Sequence, residues 1–247
     1  MSHKDKRYLI AGGSSGIGFE TAKLLAEAGA KVIIVSGNQE KLDKALAALP
    51  GTGHAAVCCD LSKTEQAAAA FEQLENAGQR LDGMVYCAGI APLCLLRDNT
   101  PELMDQVFSI NVLSFIEMAR CFYKESISPN GSRIVAVTSI TAHGAGYRQV
   151  LYGASKAAMI SAVKLMSKEL LNRDIRVNCV SPGVVETPIL EKLRLESPGL
   201  DEKMKVNQPL GVIPPRDVAA AIAYMLGEGA DYRTGTEWAM DAGAYLK

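Results

Sequence analysis

Short runs of apolar residues alternate with longer amphipathic segments along the whole chain. Seven runs have the length of strands, and most are almost continuously hydrophobic, as strands are when helices cover both faces of a parallel sheet. They are predicted at residues 8–11, 31–35, 54–59, 83–87, 133–138, 176–180 and 237–240. The pattern therefore predicts a buried parallel sheet of about seven strands.

Helix signals occupy the segments between these runs. Amphipathic helices are predicted within residues 17–28, 62–77, 100–124 and 151–172. Ser62 and Glu65 have the spacing of a capping box, and Thr100 stands as a cap residue before a first-turn proline, Pro101. Alternating strands and helices imply right-handed crossovers with helices on both faces, which is a doubly wound α/β fold of the Rossmann type.

One irregular stretch interrupts this alternation. Residues 183–214 are rich in proline and contain helical patches of their own. Such a stretch is too long for a plain connection, so we expect residues 186–215 to form a lid over a site. No repeat, low-complexity tract or linker marks a boundary, and residues 1–247 are predicted to form a single domain.

Composition argues against several kinds of partner. The chain has 247 residues, 48% of them hydrophobic, and its net charge of −1 gives no electrostatic reason to expect nucleic acid or an anionic membrane. The six cysteines form no C-x-x-C pair or Cys/His cluster, so we expect reduced thiols and no metal site. The polar start and the lack of an apolar stretch of about 20 residues indicate a cytoplasmic protein without signal peptide or membrane span.

A glycine-rich loop joins the first strand to the first helix. Its sequence is Gly12-Gly13-Ser14-Ser15-Gly16-Ile17-Gly18. Gly12 permits a tight turn, Gly16 lets the backbone approach a pyrophosphate, and Gly18 allows the helix to pack closely on the strand. Ser14 and Ser15 add hydroxyl donors, and the helix N-terminus favours an anion. The loop therefore predicts nucleotide binding at the first strand–helix junction.

A second group of residues has the chemistry of proton transfer. Tyr152 and Lys156 are four residues apart on a helix, so the phenol and the ammonium lie on one face. A nearby positive charge favours the phenolate and lowers the pKa of tyrosine toward the working range. Ser139 follows the fifth strand, where ligands bind in open α/β sheets. Asn111 lies inside a predicted helix, where asparagine is unfavourable unless its side chain is used.

These motifs resemble those of the short-chain dehydrogenase/reductase family, in its compact single-domain branch. The 13 residues from Ser139 to Tyr152 match the usual spacing of that family, and the resemblance extends over about residues 6–245. It implies an NAD(P)-dependent oxidoreductase that transfers a hydride between a nicotinamide and a carbonyl or secondary alcohol. In that case Tyr152 supplies the proton, Ser139 bonds the substrate oxygen, Lys156 supports the tyrosine and the nicotinamide ribose, and Asn111 anchors a water.

The resemblance also implies further cofactor contacts. Asp60 and Leu61 would lie beside the adenine, and the segment after the sixth strand would meet the nicotinamide. The expected cofactor-binding set is Gly12, Ser14, Ser15, Gly16, Ile17, Gly18, Ser36, Asn38, Asp60, Leu61, Ala88, Gly89, Tyr152, Lys156, Pro182, Gly183, Val184 and Thr187. Two departures stand out: Ala11 replaces the family's threonine, and Tyr86-Cys87 replaces its Asn-Asn before Ala88.

The end of the second strand indicates the preferred cofactor. Segment Val35-Ser36-Gly37-Asn38 has no carboxylate to bond a ribose hydroxyl and repel a 2′-phosphate. Ser36 and Asn38 can hydrogen-bond a phosphate, and Lys41 lies one turn further on. We therefore expect NADP to be preferred to NAD.

Loops after the fourth, fifth and sixth strands are expected to form the substrate pocket. The candidates are Ile90, Leu93, Ile140, His143, Tyr147, Val184 and Ile189, which fit a medium-sized, partly apolar substrate. A 3-oxoacyl-[acyl-carrier-protein] reductase and a catalytically silent dinucleotide sensor remain as alternatives. The resemblance further implies a homotetramer or homodimer.

Overall fold

The apolar runs form one parallel sheet in the computed structural model, which describes residues 3–144, 146–196 and 199–246. The strands are β1 (Arg7–Ala11), β2 (Lys31–Ser36), β3 (Ala55–Cys58), β4 (Gly83–Tyr86), β5 (Arg133–Val137), β6 (Arg176–Pro182) and β7 (Glu237–Met240). Their order is β3-β2-β1-β4-β5-β6-β7, and every neighbouring pair is parallel. The predicted doubly wound parallel sheet is confirmed.

Nine α-helices are assigned within the described residues. They are α1 (Gly16–Glu27), α2 (Gln39–Ala47), α3 (Thr64–Asn76), α4 (Pro101–Phe108), α5 (Ser114–Phe122), α6 (Val150–Glu169), α7 (Pro188–Glu196), α8 (Leu200–Asn207) and α9 (Pro215–Leu226). One face of the sheet forms a core with α3, α5 and α6, and the other forms a core with α1, α2 and α9. Helices α1 and α9 pack directly on each other. None of the helices in the described ranges is long and apolar enough to cross a membrane.

The two predicted helix caps have different outcomes. Thr100 caps α4, because its hydroxyl oxygen accepts a hydrogen bond from the Leu103 N–H at 3.3 Å. The capping box predicted at Ser62 is wrong, since Lys63 is the N-cap of α3 and has no side-chain cap bond. Ser62 instead donates its hydroxyl to Asp60 at 2.7 Å, so the short loop after β3 captures the side chain expected to cap the helix.

The segment predicted as one long helix at residues 100–124 contains a break in its hydrogen-bond pattern. A π-helical turn, Ser109–Leu113, connects α4 to α5. Such a turn accommodates one more residue than an α-helical turn and is frequent at functional sites. Asn111 lies in the middle of it.

The predicted lid consists of α7 and α8, between β6 and α9. Residues 197 and 198 of this segment lie outside the described residues. The two ends of the lid are paired: the Ile213 N–H bonds the Val184 carbonyl at 2.9 Å, and the Glu186 N–H bonds the Ile213 carbonyl at 3.0 Å. The two ends of this segment are therefore joined to each other next to the end of β6, and its role as a lid stays a prediction.

Candidate active site

All seven strands are parallel, so their carboxyl ends lie at one edge of the sheet. The glycine loop follows β1, Ala88 and Gly89 follow β4, Ser139 follows β5, and Gly183 follows β6. The sheet therefore brings the predicted cofactor and proton-transfer segments to one cleft, where open α/β folds bind ligands.

Glycine is required at two positions of the loop. Gly12 has φ +78°, and a Cβ there would lie 2.7 Å from the Ala88 nitrogen. A Cβ on Gly18 would lie 2.3 Å from the Gly12 carbonyl oxygen. A side chain at either position would therefore collide with backbone, and the loop runs directly into the N-terminus of α1, a position that favours the pyrophosphate of a dinucleotide.

The polar groups at the end of β2 are partly engaged with one another. The Ser14 hydroxyl donates to the Ser36 hydroxyl at 2.9 Å. The Asn38 Oδ1 accepts from the Lys41 N–H at 2.9 Å and thereby caps α2. Ser36 thus contacts the glycine loop at the carboxyl edge of the sheet, and Asn38 lies at the start of α2.

The loop after β3 is organised by Asp60. Its carboxylate accepts hydrogen bonds from the Ser62 hydroxyl and N–H, which hold the pKa of Asp60 below its ordinary value. The neighbouring Leu61 is buried, and its carbonyl accepts a hydrogen bond from Ser114. The carboxylate is therefore fixed and charged at the edge of the cleft.

Lys156 is buried beneath the cleft, with 4% of its surface exposed. Its ammonium donates to the Val137 carbonyl at 2.9 Å and lies 5.8 Å from the centre of the Tyr152 ring. Burial lowers the pKa of Lys156 to about 8, an effect that the thiols of Cys87 and Cys179 partly oppose.

The side chains of Tyr152 and Ser139 interact with each other next to Lys156. Burial raises the pKa of Tyr152, and hydrogen bonding with the Ser139 side chain acts in the opposite direction. The Ser139 hydroxyl oxygen also accepts from the Thr141 N–H at 3.2 Å. The structure therefore brings Ser139, Tyr152 and Lys156 together, whereas the lowering of the Tyr152 pKa by Lys156 remains a prediction.

The Asn111 side chain is fully buried, and its amide oxygen and its amide nitrogen are both hydrogen-bonded. Its Oδ1 accepts from the Ile90 N–H at 2.9 Å, and its Nδ2 donates to the Ile90 carbonyl at 3.1 Å and to the Ser155 hydroxyl at 2.9 Å. A Cβ on Gly89 would lie 3.2 Å from the Asn111 Oδ1 and 3.4 Å from the Lys156 Nζ. Asn111 therefore connects the loop after β4 to helix α6, next to Lys156.

Arg148 joins two of the predicted substrate loops, and the sequence did not single it out. Its guanidinium donates to the Leu93 carbonyl at 2.9 Å, and its own carbonyl accepts from the Cys94 N–H at 2.9 Å. Arg148 adopts φ +64°, which is strained for a residue with a side chain. The pair of bonds holds the loop after β4 against the loop that precedes Tyr152.

The remaining substrate candidates differ in their surroundings. Tyr147 is 81% exposed and Ile189 is 48% exposed. The carbonyl of Ile140 accepts from the Tyr245 hydroxyl at 2.6 Å. His143 lies toward β7, where its Nε2 is 2.8 Å from the Glu237 carboxylate.

Gln208 is a second residue that the sequence did not single out. It is 2% exposed, and its side-chain amide bonds the Val184 N–H at 2.8 Å, the Val184 carbonyl at 3.0 Å and the Gly211 carbonyl at 2.6 Å. The backbone of Val184, predicted to meet the nicotinamide, is therefore held by Gln208. No local pattern identifies this glutamine, since its partner is 24 residues away.

Thr187 lies where the lid meets the glycine loop. Its hydroxyl donates to the Val185 carbonyl at 3.2 Å. A Cβ on Gly16 would lie 3.3 Å from the Thr187 methyl carbon. The beginning of the lid is thus in contact range of the loop that would hold the pyrophosphate.

Known proteins are similar to this chain in sequence and in fold over nearly its full length. A family model described as enoyl-(acyl carrier protein) reductase matches residues 11–245. Carbonyl reductase family member 4 of Xenopus laevis is 34% identical over 96% of this chain and 97% of its own length. The 3-oxoacyl-[acyl-carrier-protein] reductase of Bos taurus is 32% identical over 98% of this chain and 99% of its own. A solved short chain dehydrogenase/reductase family protein superposes with a TM-score of 0.88 at 29% identity, covering 100% of both chains.

Proposed function

The chain belongs to the short-chain dehydrogenase/reductase family, and on that premise we propose that it transfers a hydride between a nicotinamide dinucleotide and a medium-sized, partly apolar carbonyl compound or secondary alcohol. The chain is an oxidoreductase that acts on carbonyl or CH–OH groups. Ser139, Tyr152 and buried Lys156 lie together at the carboxyl edge of the sheet. This grouping is the main support for the proposed hydride transfer.

The side chains divide the chemistry between them. When bound, the nicotinamide supplies or accepts the hydride. As a carbonyl is reduced, charge grows on its oxygen, and Ser139 donates a hydrogen bond to that oxygen while Tyr152 delivers the proton. Lys156 stabilises the phenolate and holds the ribose hydroxyls, and Asn111 anchors a water for reprotonation. Alcohol oxidation uses the same groups in reverse.

Replacing the tyrosine tests this role directly. Tyr152→Phe removes the acid/base group, so kcat should fall by about 10²–10⁴-fold while the cofactor Kd stays within a small factor. Tyr232→Phe is the matched control, because Tyr232 is a fully exposed tyrosine outside the predicted site. Steady-state rates on a panel of ketones and alcohols measure the effect, and retained turnover in Tyr152→Phe contradicts the proposal.

NADP is the proposed cofactor of choice. In support, Ser36 and Asn38 are the polar side chains at the end of β2, and the nearest carboxylate, Glu40, pairs with Lys44 at 2.6 Å. Fluorescence titration should give a lower Kd for NADPH than for NADH, and Ser36→Asp should reverse the order. Equal affinity of the native protein for both cofactors argues against the preference.

Reduction of 3-oxoacyl groups on acyl carrier protein is a second candidate, favoured by the name of the Bos taurus relative. Acyl carrier protein is acidic, so an enzyme that binds it needs basic residues near the entrance to its active site. Lys124 pairs with Glu75 at 3.0 Å, and Arg173 is 8% exposed, so neither is a ready docking group. Comparing turnover of a carrier-bound 3-oxoacyl group with that of a small ketone separates the two candidates.

Association of identical chains is part of the proposal. Apolar side chains are exposed on and beside the helices next to the site, with Leu113 50%, Ile116 42%, Leu165 65% and Leu171 50% accessible. Such a surface is typical of a homo-oligomer contact. We further propose that the whole chain acts as one catalytic domain with a lid, and that it works in the cytoplasm, where its six free cysteines stay reduced.

A further inference from the structure

Tyr86 ends β4 at a position where the family pattern has asparagine. Its side chain is fully buried, and its ring packs on Phe115 with 5.3 Å between centroids. Its hydroxyl donates a hydrogen bond to the Ile110 carbonyl, inside the π-turn Ser109–Leu113. A tyrosine in the sheet is therefore bonded to the backbone immediately before Asn111.

The π-turn explains why such a donor is needed. In a regular α-helix the Ser114 N–H would bond the Ile110 carbonyl, four residues earlier, but in the π-turn it bonds the Ser109 carbonyl instead. A buried carbonyl without a partner is unfavourable. The Tyr86 hydroxyl provides a donor at this place, and so it stabilises the turn against reversion to a regular α-helix.

From the π-turn a chain of hydrogen bonds leads to the catalytic helix. Asn111 follows Ile110, and its Nδ2 donates to the Ser155 hydroxyl at 2.9 Å. The Ser155 hydroxyl in turn donates to the Tyr152 carbonyl at 2.7 Å. Ser155 is fully buried and immediately precedes Lys156. The first turn of α6 is thus held to the π-turn through Asn111 and Ser155.

We propose that Tyr86 is a positioning residue: its hydroxyl fixes the π-turn, and through Asn111 and Ser155 the turn sets the position of Tyr152 and Lys156. This inference rests on the proposed function, in which those two residues transfer the proton. Tyr86 itself lies in the core, in contact with Phe115, and its hydroxyl reaches the backbone of Ile110 and the side chain of Ser114, both at the π-turn.

A pair of tyrosine-to-phenylalanine variants separates positioning from simple stability. Tyr8 is the matched control, because it is 2% exposed in the adjacent strand β1 and its hydroxyl bonds His3 at 2.9 Å. Both variants lose a buried hydroxyl and its hydrogen bonding. We expect Tyr86→Phe to lower kcat about tenfold, since small displacements at a reacting centre are costly, and to shift the pH profile of kcat. The cofactor Kd should change less than twofold, and Tyr8→Phe should leave kcat within twofold of the native value.

Hydrogen–deuterium exchange supplies a readout that needs no turnover. Amides of residues 109–114 should exchange faster in Tyr86→Phe and at the native rate in Tyr8→Phe. Equal kcat, pH profile and exchange in the two variants overturn the positioning role. Native protein that turns over no substrate on the panel removes the proposed function instead, while the exchange experiment still decides whether Tyr86 holds the π-turn.

Discussion

Burial of the Lys156 side chain lowers its pKa and so affects its charge near neutral pH. With 4% of its surface exposed, it has lost most of its hydration, and the hydrogen bond to the Val137 carbonyl replaces only a part. The pKa of about 8 still leaves most Lys156 side chains protonated at neutral pH. The cation is therefore available to stabilise a phenolate, at a cost to the stability of the fold.

That cost predicts a pH-dependent difference between the native protein and Lys156→Met. The pKa of Lys156 is about 8 in the folded chain against an ordinary value of 10.5 for lysine, so between these pH values the unfolded chain binds more protons. The native lysine thus destabilises the fold at pH 7, and the penalty is relieved as the pH rises through this window. Lys156→Met lacks the penalty, and its stability advantage should shrink by about 3 kcal/mol between pH 7 and pH 10.

Urea unfolding at several pH values measures this difference. Lys168→Met serves as the control, because it removes an exposed lysine from the same helix, α6. A constant gap between the native protein and Lys156→Met across the pH range contradicts the prediction.

The residues predicted for proton transfer are those whose proximity follows from chain geometry. Tyr152 and Lys156 are four apart on one helix, and Ser139 follows a strand whose neighbour ends at the same edge. Arg148, Gln208 and Tyr86 could not be found in this way. Each bonds a backbone group at least 24 residues distant, and the sequence contains no signal for such a bond.

At the scale of elements, the five inner strands were predictable because burial on both faces leaves continuous apolar runs. The π-turn was not, since Ser109–Leu113 has the composition of an ordinary helix and its distortion depends on Tyr86 and Asn111. The capping box failed for a similar reason: Asp60 competes with the helix for the hydroxyl of Ser62.

The hydrogen bonds between Gln208 and Val184 allow a prediction about the segment between β6 and α9. Gln208→Leu keeps the size of the side chain but leaves the Val184 N–H and carbonyl without the glutamine amide. We expect the free energy of unfolding to fall by about 2 kcal/mol. The cofactor Kd should rise several-fold, because the segment from Gly183 to Thr187 loses an anchor beside the cleft.

Two further variants serve as controls for Gln208→Leu. Gln208→Glu retains an acceptor for the Val184 N–H but cannot donate to the Gly211 carbonyl, so it should be impaired as well. Gln73→Leu makes the same chemical change at an exposed position of α3 and should be near neutral. If Gln208→Leu matches Gln73→Leu in denaturant midpoint and in Kd, the segment between β6 and α9 does not depend on this amide.

For the whole molecule, the exposed apolar side chains predict association. Leu165 is 65% exposed on α6, which neighbours the segment from α4 to α5 that carries Leu113 and Ile116. Leu165→Glu places a charge on this surface and should shift the protein toward monomers in size-exclusion chromatography with light scattering. Leu96→Glu, at a 70% exposed leucine in the loop after β4, should leave the molar mass unchanged. An unaltered mass for Leu165→Glu places the contact elsewhere.

The packing of α1 on α9 has a consequence for biosynthesis. Helix α1 follows the glycine loop, yet the helix that covers it begins only at Pro215, about 190 residues later in translation. Until α9 leaves the ribosome, the face of α1 that packs on α9 stays open to water. A nascent chain that already contains the glycine loop and the Tyr152 helix therefore still lacks the support that α9 gives to the helix after this loop. We expect a stalled chain ending before residue 215 to depend on chaperones and to retain no dinucleotide.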